Sequence, residues 1–157
     1  MTRLTRSIGM ALLGALFVVA CDDDGPTAAP VTLQVIEETA FAASLEIDLS
    51  EMTRTATGLY IQIAVPGEGD PAAAGDNVNV AYTGVLSDAS IFDAGVFNLT
   101  LGAGDAIPGF DEGATGMRLN EERVVIIPPA QAYGTRAVGS IPGGAILIFV
   151  MRLDAIN

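Results

Sequence analysis

From Gly58 onward the chain is a succession of short apolar stretches, each cut off by glycine or proline. This punctuation confines it to strands and brief helices. Leu59–Val65 reads as a strand stopped by Pro66-Gly67. Residues 77–82 alternate, which sets Val78, Val80 and Tyr82 on one face. Residues 97–101 alternate again, with Phe97, Leu99 and Leu101 inward. Arg123–Ile127 is a continuous aliphatic run ended by Pro128-Pro129. Residues 145–153 place Leu147, Phe149, Met151 and Leu153 on a common face. One short helix is expected over residues 110–117. Pro108 precedes it, Asp111 and Glu112 suit the positive end of its dipole, and Gly116 can close it. Five strands and one helix predict an α+β domain in which an antiparallel sheet covers a single helix. Residues 33–57 stay open between two readings: a short amphipathic helix over residues 37–45, or a strand in which Leu45, Ile47 and Leu49 alternate.

Composition narrows the chemistry. The 157 residues suit one domain with a tail. All 7 basic residues are arginine against 19 acidic ones, a net charge of -12, and the chain has no histidine and one cysteine. Without imidazole there is no Ser-His-Asp or Cys-His triad. Without lysine there is neither a Walker phosphate loop nor a Schiff base. A lone cysteine supplies neither a structural zinc site nor an intrachain disulfide. Strong acidity repels nucleic-acid phosphates, so no nucleic-acid partner is expected. Chemistry by carboxylates, by hydroxyls or by the shape of an apolar pocket remains, with no cofactor and no metal.

The N-terminus reads as a targeting segment. Arg3 and Arg6 open it, and Ile8–Ala20 is an apolar run of 13 residues. A membrane-spanning helix needs about 20, so the run fits the apolar region of a secretory signal better. It ends in Val18-Val19-Ala20-Cys21, which resembles a bacterial lipobox, and the chain's one cysteine falls where that motif lipidates its new N-terminus. Cleavage after residue 20 would remove both those arginines and no acid, leaving 5 basic against 19 acidic residues, a net of -14. Asp22-Asp23-Asp24 lacks the spaced acids and terminal glutamate of a calcium loop and reads as solvated chain. The expected organisation is therefore a lipoprotein signal over 1–20, an acidic flexible tether over 21–32, an N-terminal extension over 33–57 and a folded domain over 58–157.

Several motifs carry a resemblance when taken in order. Gly75-Asp76 leads to Val80-Ala81-Tyr82-Thr83-Gly84, then Phe92-Asp93, then Leu101-Gly102-Ala103-Gly104. Ile107-Pro108-Gly109-Phe110-Asp111-Glu112-Gly113 and Gly116-Met117 follow. The set ends with Ile127-Pro128-Pro129, Ala132-Tyr133-Gly134, Ile141-Pro142 and Leu147-Ile148-Phe149. Any one piece is common, but the ordered set, over about residues 58–156, resembles the FKBP family of peptidyl-prolyl cis/trans isomerases. The resemblance implies an antiparallel half-barrel sheet of five to six strands wrapped on one short helix, with an apolar pocket between them. It also implies that Tyr82, Asp93, Tyr133 and Phe149 are catalytic, and that Phe92, Phe97, Ala106, Ile107, Phe110 and Ile141 bind substrate. Phe110 would be the floor, the Ile107 N–H and the Tyr133 hydroxyl would donate to substrate carbonyls, and Asp93 would be the polar group at the edge.

The implied partners are proline-containing polypeptides and macrolide inhibitors, with the membrane reached through lipidated Cys21. The expected protein is a monomeric, lipid-anchored isomerase of the bacterial cell envelope that assists the folding of exported proteins. A binding or chaperone module with little or no turnover is the rival reading, and a purely structural envelope domain is a third. The near-complete set of pocket residues argues against the third.

Three departures from the family pattern bear on the site. Phe110 stands where many members carry tryptophan. Only three residues separate Asp93 from Phe97, which predicts a short flap. The Tyr133–Ile141 loop is one residue short, and Pro142 is followed by Gly143-Gly144, which predicts a mobile loop.

Overall fold

A computed structural model describes residues 30–157. Six antiparallel strands form one sheet in the order β1-β2-β5-β6-β3-β4. They are β1 Thr53–Arg54, β2 Tyr60–Val65, β3 Asn77–Val85, β4 Ile91–Thr100, β5 Glu122–Ile127 and β6 Leu147–Ile156. A single helix, α1 Pro108–Ala114, lies across the inner face against β5 and β6. The α+β half-barrel expected from the motifs is the observed architecture.

The alternation in the sequence fixes which face is buried. Val78 and Val80 on β3, Leu99 on β4 and Leu147, Phe149, Met151 and Leu153 on β6 all enter the core beneath α1. The uninterrupted run on β5 has a different cause. Val125 and Ile127 join that same core, whereas Ile126 faces a second cluster on the opposite side of the sheet, with Ile36, Met52, Tyr60, Val85, Ile146 and Ile148. Both faces of β5 are covered, so no polar alternation is tolerated there.

The cover over the outer face is the segment before β1. It forms neither the helix nor the strand left open above. It makes three single 3-10 turns, Ile36–Glu38, Ala43–Leu45 and Leu49–Glu51, before pairing as β1. Glu46 takes a left-handed backbone (φ +49°) that ends the second turn, and the Asp48 carboxylate accepts the Ser50 N–H at the start of the third. Such a path lets Ile36, Phe41, Leu45, Ile47, Leu49 and Met52 all press onto the sheet at irregular spacing. The boundary expected at residue 58 therefore does not separate two units, because residues 33–57 supply a strand and a core layer to the same sheet. Even Val31 and Thr32, assigned to the tether, lie against Gly143 and Gly144.

Helix α1 begins and ends earlier than expected. Pro108 opens it, since a fixed φ and a missing N–H are harmless in a first turn. At its other end Arg123 donates to the carbonyls of Gly113 (3.0 Å) and Thr115 (3.1 Å), and Thr115 turns to extended backbone. Cationic donors satisfy the orphan carbonyls there and complement the helix dipole. Arg123 is itself buried and paired with buried Glu121. Two glycines in seven residues give α1 little intrinsic helicity, so packing holds it. Those glycines are what permit the packing. A Cβ at Gly109 would fall 2.3 Å from Ile127 Cγ2, and one at Gly113 would fall 3.0 Å from Val125 Cγ1. The helix backbone rests directly on β5.

The residues between Asp93 and Phe97 form no flap. They belong to β4, paired through Gly84↔Asp93, Thr83↔Ala94, Tyr82↔Gly95 and Ala81↔Val96. With so few residues available, the connection stays in the ladder.

Candidate active site

A hollow of about 630 Å³ opens between β3–β4, the start of α1 and the loop after β5. Tyr82, Phe92, Asp93, Phe97, Ala106, Ile107, Phe110, Tyr133 and Phe149 all line it, with Asp105, Pro108, Ala132 and Arg136. Nine of the ten pocket residues implied by the resemblance thus meet in one cavity. Ile141 does not line it and is buried in the same core as Phe110 and Phe149. Cys21 lies outside the described residues.

Adjacent residues of a strand point to opposite faces, yet Phe92 and Asp93 both reach the hollow. A β-bulge explains this: Gly84 pairs with Asp93, but Val85 pairs with Ile91, which leaves Phe92 as the extra residue. Its ring turns inward over Gly84. A Cβ there would lie 2.4 Å from Phe92 Cζ, so only glycine leaves the space. Phe92 then meets Phe149 edge to face, centroids 5.5 Å apart and planes at 86°.

Phe110 is the floor, almost fully buried at 4% exposure. Tyr82 (5.6 Å, 85°), Phe149 (5.2 Å, 86°) and Phe97 (6.0 Å, 68°) stand around it edge to face. Each such pair adds about 0.5–1.5 kcal/mol beyond its area, so the walls are stiff.

The polar groups are few and fixed. The Tyr82 hydroxyl donates to Asp93 Oδ2 at 2.7 Å, and Asp93 Oδ1 accepts the Ala94 N–H at 2.9 Å. The hydrogen bond to Asp93, then burial, then the carboxylate's charge push the Tyr82 pKa up to about 12. Tyr82 is therefore a neutral phenol at physiological pH, held in place by Asp93.

Ile107 is set by its neighbour, because the residue before a proline is driven to extended backbone. It adopts φ -61° and ψ 147°, and its carbonyl accepts from Phe110 and Asp111 to start α1. Its own N–H donates to no acceptor among the described residues. The preceding turn is tied down by Asp111, which accepts the Gly102 N–H at 2.9 and 3.0 Å, and by Asp105, which accepts the Thr100 N–H at 3.1 Å. Tyr133 follows the 3-10 turn Pro129–Gln131, is half-buried, and its hydroxyl likewise has no partner among the described residues. The hollow thus presents an apolar box lined by Ile107, whose N–H has no acceptor among the described residues, and by the phenols of Tyr82 and Tyr133.

Arg136 went unnoticed in the sequence. Among the described residues the other four arginines are engaged: Arg54 with Glu37, Arg123 with Glu121, Arg152 with Asp154, and Arg118 with the Gly69 carbonyl. Arg136 is the free one, at the rim of the hollow. It sits in a loop without periodicity, so no sequence pattern marks it.

The model of the FKBP-type peptidyl-prolyl cis-trans isomerases matches residues 69–154, which span every lining residue. The chain belongs to this family. Its FKBP domain is 43% identical over 107 residues to FK506-binding protein 1A of Neurospora crassa, covering 64% of this chain and 89% of the relative. It is 33% identical over 135 residues to FK506-binding protein 2 of Yarrowia lipolytica, covering 82% and 94%. FK506-binding protein 4 of Mycosarcoma maydis is 36% identical over 126 residues, and there the match spans 76% of this chain but only 34% of the relative. Among solved structures, AtFKBP13 superposes with a TM-score of 0.64 at 27% identity over 68% of this chain and 99% of its own. FkpA from Escherichia coli gives 0.63 at 29% identity over 68% and 52%.

Proposed function

We propose that this FKBP-family chain works as a lipid-anchored, monomeric peptidyl-prolyl isomerase of the bacterial cell envelope, assisting the folding of exported proteins. The observation that carries the catalytic part is an apolar aromatic box lined by Ile107 and Tyr133, whose N–H and hydroxyl have no partner among the described residues. The anchoring part rests on Arg3, Arg6, the apolar run Ile8–Ala20 and Cys21.

The chemistry needs no proton shuttle. An X–Pro bond prefers trans by only about 0.5–1 kcal/mol, and its rotation is slow because the barrier is roughly 20 kcal/mol. At the top of that barrier the amide is twisted, resonance is lost and the carbonyl is less polar. Water favours the planar form, so an apolar site lowers the barrier. The aromatic box takes the proline ring, and the two donors hold neighbouring carbonyls in the twisted arrangement. A millionfold acceleration requires about 8 kcal/mol, all of it from binding the twisted form better than the planar one. Macrolide inhibitors would occupy the same box.

Refolding of a client whose slow phase is proline-limited tests the reading. The full chain should shorten that phase while the Tyr133→Ala variant does so far less. If wild type and variant leave the phase equally slow, the binding-module reading takes over. Separately, Cys21→Ala should move the protein from the membrane to the soluble fraction; an unchanged distribution removes the anchor.

A further inference from the structure

We propose that the segment Val31–Ile36 positions the pocket loop, with Gln34 as the positioning residue; this deepens the isomerase reading and rests on it. The loop in question, from Tyr133 to Ala145, carries Tyr133 and Arg136 into the hollow. Gln34 grips it at two points. Its backbone N–H donates to the Gly144 carbonyl at 2.8 Å, and its side-chain Oε1 accepts the Ile146 N–H at 2.8 Å. Gly144 in turn donates to the Gly134 carbonyl at 2.7 Å, one residue from Tyr133. A chain of hydrogen bonds thus runs from Gln34 to the residue that places the phenol.

The two glycines have a reason other than mobility. A Cβ at Gly144 would fall 2.3 Å from the Thr32 carbonyl oxygen, and one at Gly143 would fall 2.2 Å from the Thr135 carbonyl oxygen. Three stretches of backbone cross here in direct contact. The absent Cβ at Gly144 lets the N-terminal segment lie on the loop, and the absent Cβ at Gly143 lets the loop close on its own Thr135. Ile36, 3% exposed, fixes the far end of the segment in the outer core with Ile146 and Ile148. The loop is therefore clamped from its own N-terminal side, and the expectation of a loosened loop is replaced by that of a pinned one.

The test uses the full chain and three proteins: wild type, Gln34→Ala and Gln34→Glu, the last keeping an acceptor for the Ile146 N–H. On an X–Pro peptide, kcat/KM of Gln34→Ala should fall about fivefold, the effect of one lost hydrogen bond, while Gln34→Glu keeps at least half the wild-type value. Amide exchange at Ile146 and at Gly144, whose N–H holds the Gly134 carbonyl, should speed up in Gln34→Ala alone. A lower Tm with unchanged kcat/KM in Gln34→Ala would mean a purely structural role and overturn the proposal, as would equal impairment of both variants. If wild type itself shows no turnover, the isomerase reading fails separately. Peptide affinity by calorimetry and loop exchange then decide the positioning role, and equal values in wild type and Gln34→Ala overturn it.

Discussion

Alanine at Gly84 separates the pocket from the fold that carries it. The new Cβ would stand 2.4 Å from Phe92 Cζ and 2.6 Å from Cε2, with Phe149 Cε1 at 3.1 Å. Carbon atoms in contact sit about 3.5–4.0 Å apart, so the Phe92 ring must retreat by roughly 1–1.5 Å. Phe92 is half-buried, whereas Phe149 is buried in the core, so the Phe92 ring is the one that must yield. The lost edge-to-face pair removes about 0.5–1.5 kcal/mol. Replacing a strand glycine returns about 0.5–1 kcal/mol of backbone entropy, so the net change in stability stays within about 1 kcal/mol. Activity has no such compensation. A wall of the box has moved by an ångström, a displacement that can reach a hundredfold in rate for reacting groups; for a wall, about tenfold in kcat/KM is expected, or about 1.4 kcal/mol. Urea denaturation and peptide isomerisation on the same preparation read both quantities. Full activity in Gly84→Ala would show that the Phe92 wall is not used. A loss of stability as large as the loss of activity would show that bulge and core cannot be separated.

Arg123→Met leaves the Glu121 carboxylate, 2% exposed, without its cation and should lose about 3–5 kcal/mol in urea denaturation. Adding Glu121→Gln should restore much of that, and a loss under about 1 kcal/mol would contradict the assigned helix cap. With no histidine in the chain and the Tyr82 proton held to about 12, kcat/KM should be flat from roughly pH 6 to 9, and a bell centred near neutrality would contradict this. The same raised value means that the Tyr82–Asp93 bond contributes stability fully below the phenol's ordinary 10.0 and loses it as pH climbs towards about 12. Ultraviolet titration should accordingly show Tyr82 ionising late, as should Tyr60, which donates to Glu37. Arg136→Ala should reduce kcat/KM on peptides with Asp or Glu beside the proline about two- to fivefold more than on neutral ones; an equal loss on both would deny it a role in selection.

The strands and their buried faces were legible because half-burial writes itself as a period of two. β3 and β6 are the clearest cases. The doubly covered β5 was visible as a strand, but its second cover was not, since residues 31–52 use irregular turns whose apolar spacing matches neither period. Helix α1 was misplaced by two or three residues because its C-terminus is set by Arg123, a residue of the next strand. Most of the box was readable only as an ordered motif: nothing local says that Phe92 and Asp93 share a face, which depends on a bulge opposite Gly84. Gly143-Gly144 was misread for a similar reason. A glycine pair looks the same whether it frees a loop or admits a crossing segment, and here the crossing partner lies more than a hundred residues earlier in the chain.

The most direct test is magnetisation-exchange NMR on an X–Pro peptide, which reads cis/trans interconversion without a coupled protease. Free peptide exchanges over tens of seconds. The full chain at substoichiometric concentration should speed exchange by orders of magnitude, and Tyr133→Phe, lacking only the hydroxyl, should be about five- to tenfold slower. An exchange rate in the presence of wild-type protein equal to that of free peptide would contradict the claim that this aromatic hollow turns a prolyl amide.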